Sequence, residues 1–218
     1  MKRTDDTDSE TRGSADIWLD AAYSSLLDGG VEAVRILPLA KKLNLSRTSF
    51  YWFFEDRDEL LADLLTRWKM KNSGAWIART EAYAENICEG VLNVFDCWFD
   101  DTLFDSRFEA AVRSWTIQDP EVAKEISIDD TRRIDALVRM FVRFRYKPLA
   151  AEVRARTMYL SQLGYISLHV TEDISLRLGR IAEYVEVFTG QRPDKHELGR
   201  FFARHSVKPS PKSRKHRS

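Results

Sequence analysis

Apolar residues recur at three- and four-residue spacing along most of the chain, with hardly any sustained alternation of period two. That is the pattern of amphipathic helices that each bury one face. Ser14 offers an N-cap to a first helix carrying Ile17, Trp18, Ala21, Ala22, Leu26 and Leu27, and Gly29 and Gly30 end it. The next helix is predicted from about Leu37 to Leu43. Pro38 falls in its first turn, where a missing N–H is harmless, and Asn44 follows its end, where a left-handed residue closes a tight turn. Ser46 caps a third helix from Arg47 to about Phe53, only some 10 Å long at about 1.5 Å per residue. Asp56 followed by Glu59 makes a capping-box-like start for a fourth, with an apolar stripe of Leu60, Leu61, Leu64, Leu65 and Trp68.

A Lys-, Asn-, Ser- and Gly-containing stretch over 69–74 interrupts the pattern. Longer amphipathic segments follow at about 76–100, 105–117, 120–146, 148–170, 173–189 and 194–205. Asp119-Pro120, Lys147-Pro148 and the run from Gly190 to Pro193 separate them, and Asp194 with Glu197 caps the last. No repeat of fixed period is present. The pattern predicts an all-α protein in which an N-terminal helix-turn-helix three-helix unit precedes a larger C-terminal helical domain. Its divisions are a flexible polar arm over 1–13, the helix-turn-helix unit over 14–66, the larger domain over 67–205, and a basic disordered tail over 206–218.

Composition narrows the partners. The 34 basic and 34 acidic side chains cancel, so no global field marks the chain for nucleic acid or a membrane surface. No apolar run approaches the roughly 20 residues of a spanning helix, and the amino terminus is polar and acidic, so a soluble, cytoplasmic protein without membrane association is expected. The two cysteines, Cys88 and Cys97, would lie about 13.5 Å apart on one continuous helix, too far for a disulfide. Locally the picture changes. Between Val34 and Phe50 stand Arg35, Lys41, Lys42 and Arg47 with no acid, a charge of +4.

Helix, short helix, tight turn and short helix is the plan in which the second short helix enters the major groove while the first crosses the phosphate backbone. Hydroxyls and a guanidinium crowd the first turn of the third helix, and its later turn is aromatic. Arg47 suits a bidentate contact to guanine, the Thr48 methyl suits thymine, and Ser46 and Ser49 suit phosphate. Phe50 and Phe54, four residues apart, face inward. The same residues admit a plainer reading, a capped core helix with a solvated face.

Gly29-Gly30-Val31, Leu39 to Leu43, Ser46 to Phe54 and Asp56 to Leu61 together resemble the DNA-binding signature of the tetracycline-repressor (TetR) family, over about residues 14–66. The resemblance implies that Tyr51 and Arg57 contact phosphates, that Arg47, Thr48, Ser49 and Trp52 face bases or sugar-phosphate, and that Arg35 approaches the backbone. Three positions depart from the family pattern: Phe53 where histidine is common, Glu55 where lysine is common and Asn44 where glycine is usual.

Helix-turn-helix units read palindromic operators as dimers, so a homodimer is expected, paired outside residues 14–66. Ile174, Leu178, Ile181, Val185 and Phe188 repeat at helical steps, and Leu160, Leu163, Gly164 and Ser167 form a face with small residues. The family resemblance assigns both faces to the dimer interface, although part of any such stripe is intrachain core. It further implies an unidentified small-molecule effector, for which Phe95, Trp98, Trp115, Met158, Tyr159 and Gln162 are the expected pocket lining. From Ala203 to Ser218 six basic residues and no acid give +6, suited to salt-sensitive phosphate contact or merely to solubility.

No cofactor or metal is implied: the chain lacks di-iron Glu-x-x-His spacing, a phosphate-cradling Gly-rich loop and a zinc-spaced Cys/His cluster. An enzyme is therefore not expected, and His169 alone among the four histidines is placed to face a pocket. The leading expectation is a sequence-specific DNA-binding regulator, a ligand-responsive repressor. The alternatives are a dimeric all-α interaction scaffold without specific DNA binding, or a helical enzyme.

Overall fold

The computed structural model describes residues 5–205, with side chains from residue 15 onward. Among these residues every regular element is helical. Helix α1 (Asp5–Gly29) extends well upstream of the start predicted at Ser14, which lies inside it. Gly30 at φ 70° turns the chain into a short 3-10 turn, Val31–Ala33. Helix α2 (Ile36–Leu43) ends on Asn44, whose left-handed φ of 55° makes the turn into α3 (Arg47–Phe50). Helix α4 (Arg57–Trp68) starts as the sequence predicts, with the Asp56 carboxylate accepting from the N–H groups of Asp58 and Glu59. The Glu59 carboxylate in turn accepts from the Glu55 N–H.

The break predicted over 69–74 is absent. A π-helical turn, Lys69–Ser73, carries α4 into α5 (Gly74–Glu81). The segment predicted over 76–100 is two helices, α5 and α6 (Ile87–Phe99), with Asn86 capping the second. Then come α7 (Ser106–Trp115), α8 (Pro120–Arg143) and α9 (Pro148–Ser167). The segment predicted over 173–189 breaks at Arg180 into α10 (Ile174–Gly179) and α11 (Ile181–Thr189), and α12 (Lys195–His205) closes the described chain. The basic tail beyond His205 lies outside the described residues.

Two apolar cores organise these helices. One gathers Trp18, Leu26, Leu39, Phe50, Leu60 and Trp68 from α1–α4 and also takes Phe108, Val112 and Trp115 from α7 and Val122 and Ile126 from α8. The other is built by α5, α6, α8, α9, α11 and α12 around Trp76, Phe95, Phe141 and Phe201. Cys88 and Cys97 are buried free thiols of this second core. Burial pushes the Cys97 thiol up to about 12, so it packs as a neutral group. No helix among the described residues is long and apolar enough to cross a membrane.

A buried ionic network pins the first core to the rest. The Glu109 carboxylate on α7 is fully buried and accepts from Trp68 Nε1 at 2.8 Å, Asn72 Nδ2 at 2.9 Å, Arg113 Nε at 2.9 Å and Arg133 Nη1 at 2.9 Å. Arg133, also fully buried, pairs with Asp129 at 3.2 Å and places its guanidinium 4.8 Å from the Trp68 ring. Ser73 donates to Asp129, and Tyr159 on α9 donates to Asp130 at 2.6 Å. Burial alone would raise the Glu109 carboxyl, but the guanidiniums of Arg133 and Arg113 outweigh it and hold the group ionised below its ordinary value.

Candidate nucleic-acid interface

The turn from Ser46 to Phe54 is built from a cap and an anchor. Ser46 Oγ accepts from the Ser49 N–H at 3.1 Å, and Ser49 Oγ returns a bond to the Ser46 carbonyl at 2.7 Å, which fixes the first turn of α3. Phe50 is fully buried, edge-on to Trp18 at 5.2 Å and stacked on Phe54 at 5.3 Å. This anchor settles which face turns outward. After Phe50 the α-helix ends sooner than predicted: Tyr51, Trp52 and Phe53 donate to carbonyls three residues back, a tighter 3-10 winding. Phe53 packs against the first core.

Arg47, Thr48, Tyr51 and Trp52 are exposed, Trp52 by 74 %, and Ser46 is exposed beside them. Arg47 Nη2 donates to the Tyr51 hydroxyl at 2.9 Å, with the guanidinium 5.6 Å from the ring centre, so one cation and one phenol form a single polar tip. Arg35 stands exposed at the start of α2, 3.5 Å from Glu32. Lys42 of α2 donates to Ser24 of α1 at 2.9 Å. All eight predicted contact residues have side chains that are exposed or half-buried on the amino-terminal unit, six of them in the Ser46–Trp52 turn.

Arg57 is engaged with the protein's own backbone. It is half-buried, donating from Nε to the Val34 carbonyl at 2.6 Å and from Nη2 to the Val31 carbonyl at 2.8 Å. These bonds tie the start of α4 to the loop that leads into α2. Carbonyl partners leave no mark in a sequence.

Residues 19–64 match the family model described as bacterial regulatory proteins, tetR family. The amino-terminal unit is a TetR-family domain. No curated protein matches the chain. Among solved structures, a transcriptional regulator from Rhodococcus sp. Rha1 is similar over 89 % of this chain and 99 % of its own, at 17 % identity and a TM-score of 0.57. A protein provisionally described as a TetR-family transcriptional regulator, from Mesorhizobium loti MAFF303099, is similar over 88 % of this chain and 96 % of its own, at 14 % identity and a TM-score of 0.57. At these identities the likeness is one of fold, and it extends through the larger helical region. The TetR-family unit supports a DNA-binding transcriptional regulator and points away from an enzyme. Among the described residues no group of His, Cys, Asp or Glu could hold a metal ion.

Beyond the TetR-family unit the sequence-based assignments fare unevenly. Of the six expected pocket residues only Gln162 borders a cleft of substantial size, about 600 Å³, between the end of α1, α7, the end of α9 and α10. Trp98 borders a separate void of about 20 Å³. Phe95, Met158 and Tyr159 are buried in the second core, and Trp115 belongs to the first. Aromatic residues at helical spacing went into packing, while the cleft is walled by Leu26, Leu27, Arg107, Tyr165, His169 and Arg177, among others. His169 is among the lining residues.

The predicted dimer face needs a similar correction. Ile181, Val185 and Phe188 are buried in the second core as intrachain contacts, while Leu163 and Leu178 pack against it and remain partly exposed. Ile174 and Gly164 are half-buried, while Ser167 and Leu160 are exposed, Leu160 by 60 %. The exposed apolar side chains that sequence reading missed are Leu149 and Val153 on α9 and Val187 on α11. Each is offset from a buried neighbour by a residue or two, a phase that periodicity alone does not resolve.

Proposed function

We propose that the chain is a homodimeric, ligand-responsive repressor that binds a palindromic duplex through the exposed tip of the Ser46–Trp52 turn and occludes a promoter in the cytoplasm. The observation that carries the reading is the division of that turn: Phe50 and Phe54 are locked into the core, and Arg47, Thr48, Tyr51 and Trp52 face solvent on a unit with a local charge of +4. A convex, cationic tip with hydroxyls in its first turn has the chemistry to meet base edges and phosphates together.

Pairing of two chains falls to α9 and α11. Leu149, Val153, Leu160 and Val187 are large apolar groups left exposed, with Ser167 further along the same helix. Burying them against a second copy would hold two reading tips at a fixed separation. A small molecule in the cleft beside α1 then shifts occupancy by favouring one separation, since only differential affinity moves such an equilibrium.

Selection from random duplexes followed by footprinting tests the reading. An inverted repeat protected by the purified chain is the expected outcome. Uniform weak binding to every sequence would favour the interaction scaffold and overturn it.

A further inference from the structure

The cleft beside α1 has a chemical character that the TetR-family domain does not specify. None of the residues lining it is acidic, while Arg107 and Arg177 both line it. Arg107, in the first turn of α7, is exposed and has no carboxylate within ion-pair distance among the described residues. Arg177 is half-buried, its guanidinium 5.0 Å from the Phe99 ring centre and 5.3 Å from that of Tyr165, again without a carboxylate partner. The nearby acid Glu172 gives Oε1 to Arg180 at 2.7 Å, and its Oε2 is buried without a hydrogen-bond partner. Two cations without counter-ions therefore border one recess.

A second observation comes from α9. Gln162 is 97 % buried, and its amide Oε1 meets no hydrogen-bond donor. Leaving such a group unpaired costs the desolvation of a polar atom, a cost that an occupant of the recess removes by hydrogen bonding. The lining also carries apolar groups, Leu26 and Leu27 from α1, Ala110 and Ala111 from α7 and Ile166 from α9, alongside Ser106, Ser114, His169 and Thr171. The size, about 600 Å³, suits a small organic molecule.

We propose that this cleft is the effector site of the regulator, and that it takes an organic monoanion with an apolar body and a hydrogen-bonding group. The anionic end lies between Arg107 and Arg177, the hydrogen-bonding group meets the Gln162 amide, and the apolar body covers Leu26 and Leu27. Because one wall is the end of α1 and the others are α7, α9 and α10, the bound anion bridges the reading unit to the larger helical region. Its binding energy thereby acts on the angle between them. This deepens the proposed function and rests on it for the word effector; binding of the anion itself does not depend on DNA.

The test uses 4-anilinobenzoate, which carries a carboxylate, an N–H on the far side of the same ring and two rings, and its uncharged carboxamide as a control. Both are titrated calorimetrically into the full chain and into R107Q, R177Q and Q162L, with thermal melts to show that each variant is folded. The expected result is that the anion binds the unaltered chain at least about tenfold more tightly than the carboxamide, the size of one charge-assisted hydrogen bond. R107Q and R177Q should each remove most of that preference, and Q162L should weaken both compounds alike. Equal affinity for anion and carboxamide, an undiminished preference in folded R107Q, or no binding of either compound would overturn the proposal. A footprint retained while the anion fails to bind sinks this inference alone. Anion binding without any footprint sinks the repressor reading and leaves the anion site standing.

Discussion

Arg47 and Arg57 lie ten positions apart with the same charge, and their surroundings give them different tasks. Arg47 ends at the surface on a phenol, free to exchange that partner for a guanine edge. Its replacement by alanine should cost about 1–3 kcal/mol on the preferred site and flatten base preference there, read by titration against single-base variants. Arg57 spends two donors on the carbonyls of Val31 and Val34. Arg57→Ala should therefore lower the stability of the fold by about 1–3 kcal/mol, the penalty for losing the Val34 carbonyl's partner while the Val31 carbonyl keeps the Val34 N–H, and weaken every duplex alike. Arg57→Lys should not restore it, because an ammonium cannot reproduce the fork that spans two carbonyls. An unchanged urea midpoint in Arg57→Ala would contradict this assignment. At this scale the sequence announced the inward pair Phe50 and Phe54 and the capping residues Ser46 and Asp56, whose partners lie within four positions. It could not announce the partners of Arg57, 23 and 26 positions away and on the backbone.

Among elements, the helix leaving the reading unit is the most informative. Residues 69–74 have the polar, Gly-containing composition of a loop, yet Asn72 and Ser73 are buried within a continuous helical path because Glu109 and Asp129 satisfy their side chains. Local composition could not show this, since those acids sit more than thirty positions away. The network has a definite energetic sign. Arg133→Met removes the cation that Glu109 and Asp129 share, leaving Glu109 to Arg113 and Asp129 to Arg132, and should destabilise the fold by about 1–3 kcal/mol in urea titrations. A variant within about 0.5 kcal/mol of the parent would contradict it. The pH dependence follows from the same carboxylate. Glu109 has its ionisation lowered from an ordinary value of 4.5, so its contribution is complete above that pH and is lost as pH falls further through the folded value. Stability should decline below about pH 4.5, and Glu109→Gln should remove that part of the slope at the cost of a lower plateau.

Helix α9 carries the other element-scale expectation. Its inner face holds Ala151, Ala155, Met158, Tyr159, Gln162 and Ile166, and its outer face holds Leu149, Val153 and Leu160. The double substitution Val153→Glu with Leu160→Glu places four charges in the proposed two-copy interface at positions more than half exposed in one chain. It should sediment as a monomer at micromolar concentration with its melting temperature little changed, and persistence of the dimer would move the interface elsewhere. Apolar periodicity located this helix but could not separate its faces, because a stripe that packs within the chain and one that packs between chains obey the same spacing.

For the molecule as a whole, the TetR-family unit is not an appendage. Its core continues into α7 and α8, and the Glu109 network and the cleft beside α1 lie on either side of that junction. The all-helical architecture and the position of the reading unit were legible from periodicity, caps and a local charge of +4. The cleft was not, because its walls come from four segments spread between Leu26 and Arg177 that only tertiary packing brings together. The central claim is that the Ser46–Trp52 tip of each of two chains enters a major groove. Dimethyl sulfate protection on a selected operator tests it most directly, because guanine N7 is exposed only in that groove. The expected result is two protected guanine clusters on one face of the duplex, centred about 34 Å or a multiple of it apart, both lost in Arg47→Ala. Unprotected N7 positions in a duplex that the chain demonstrably occupies would contradict the account.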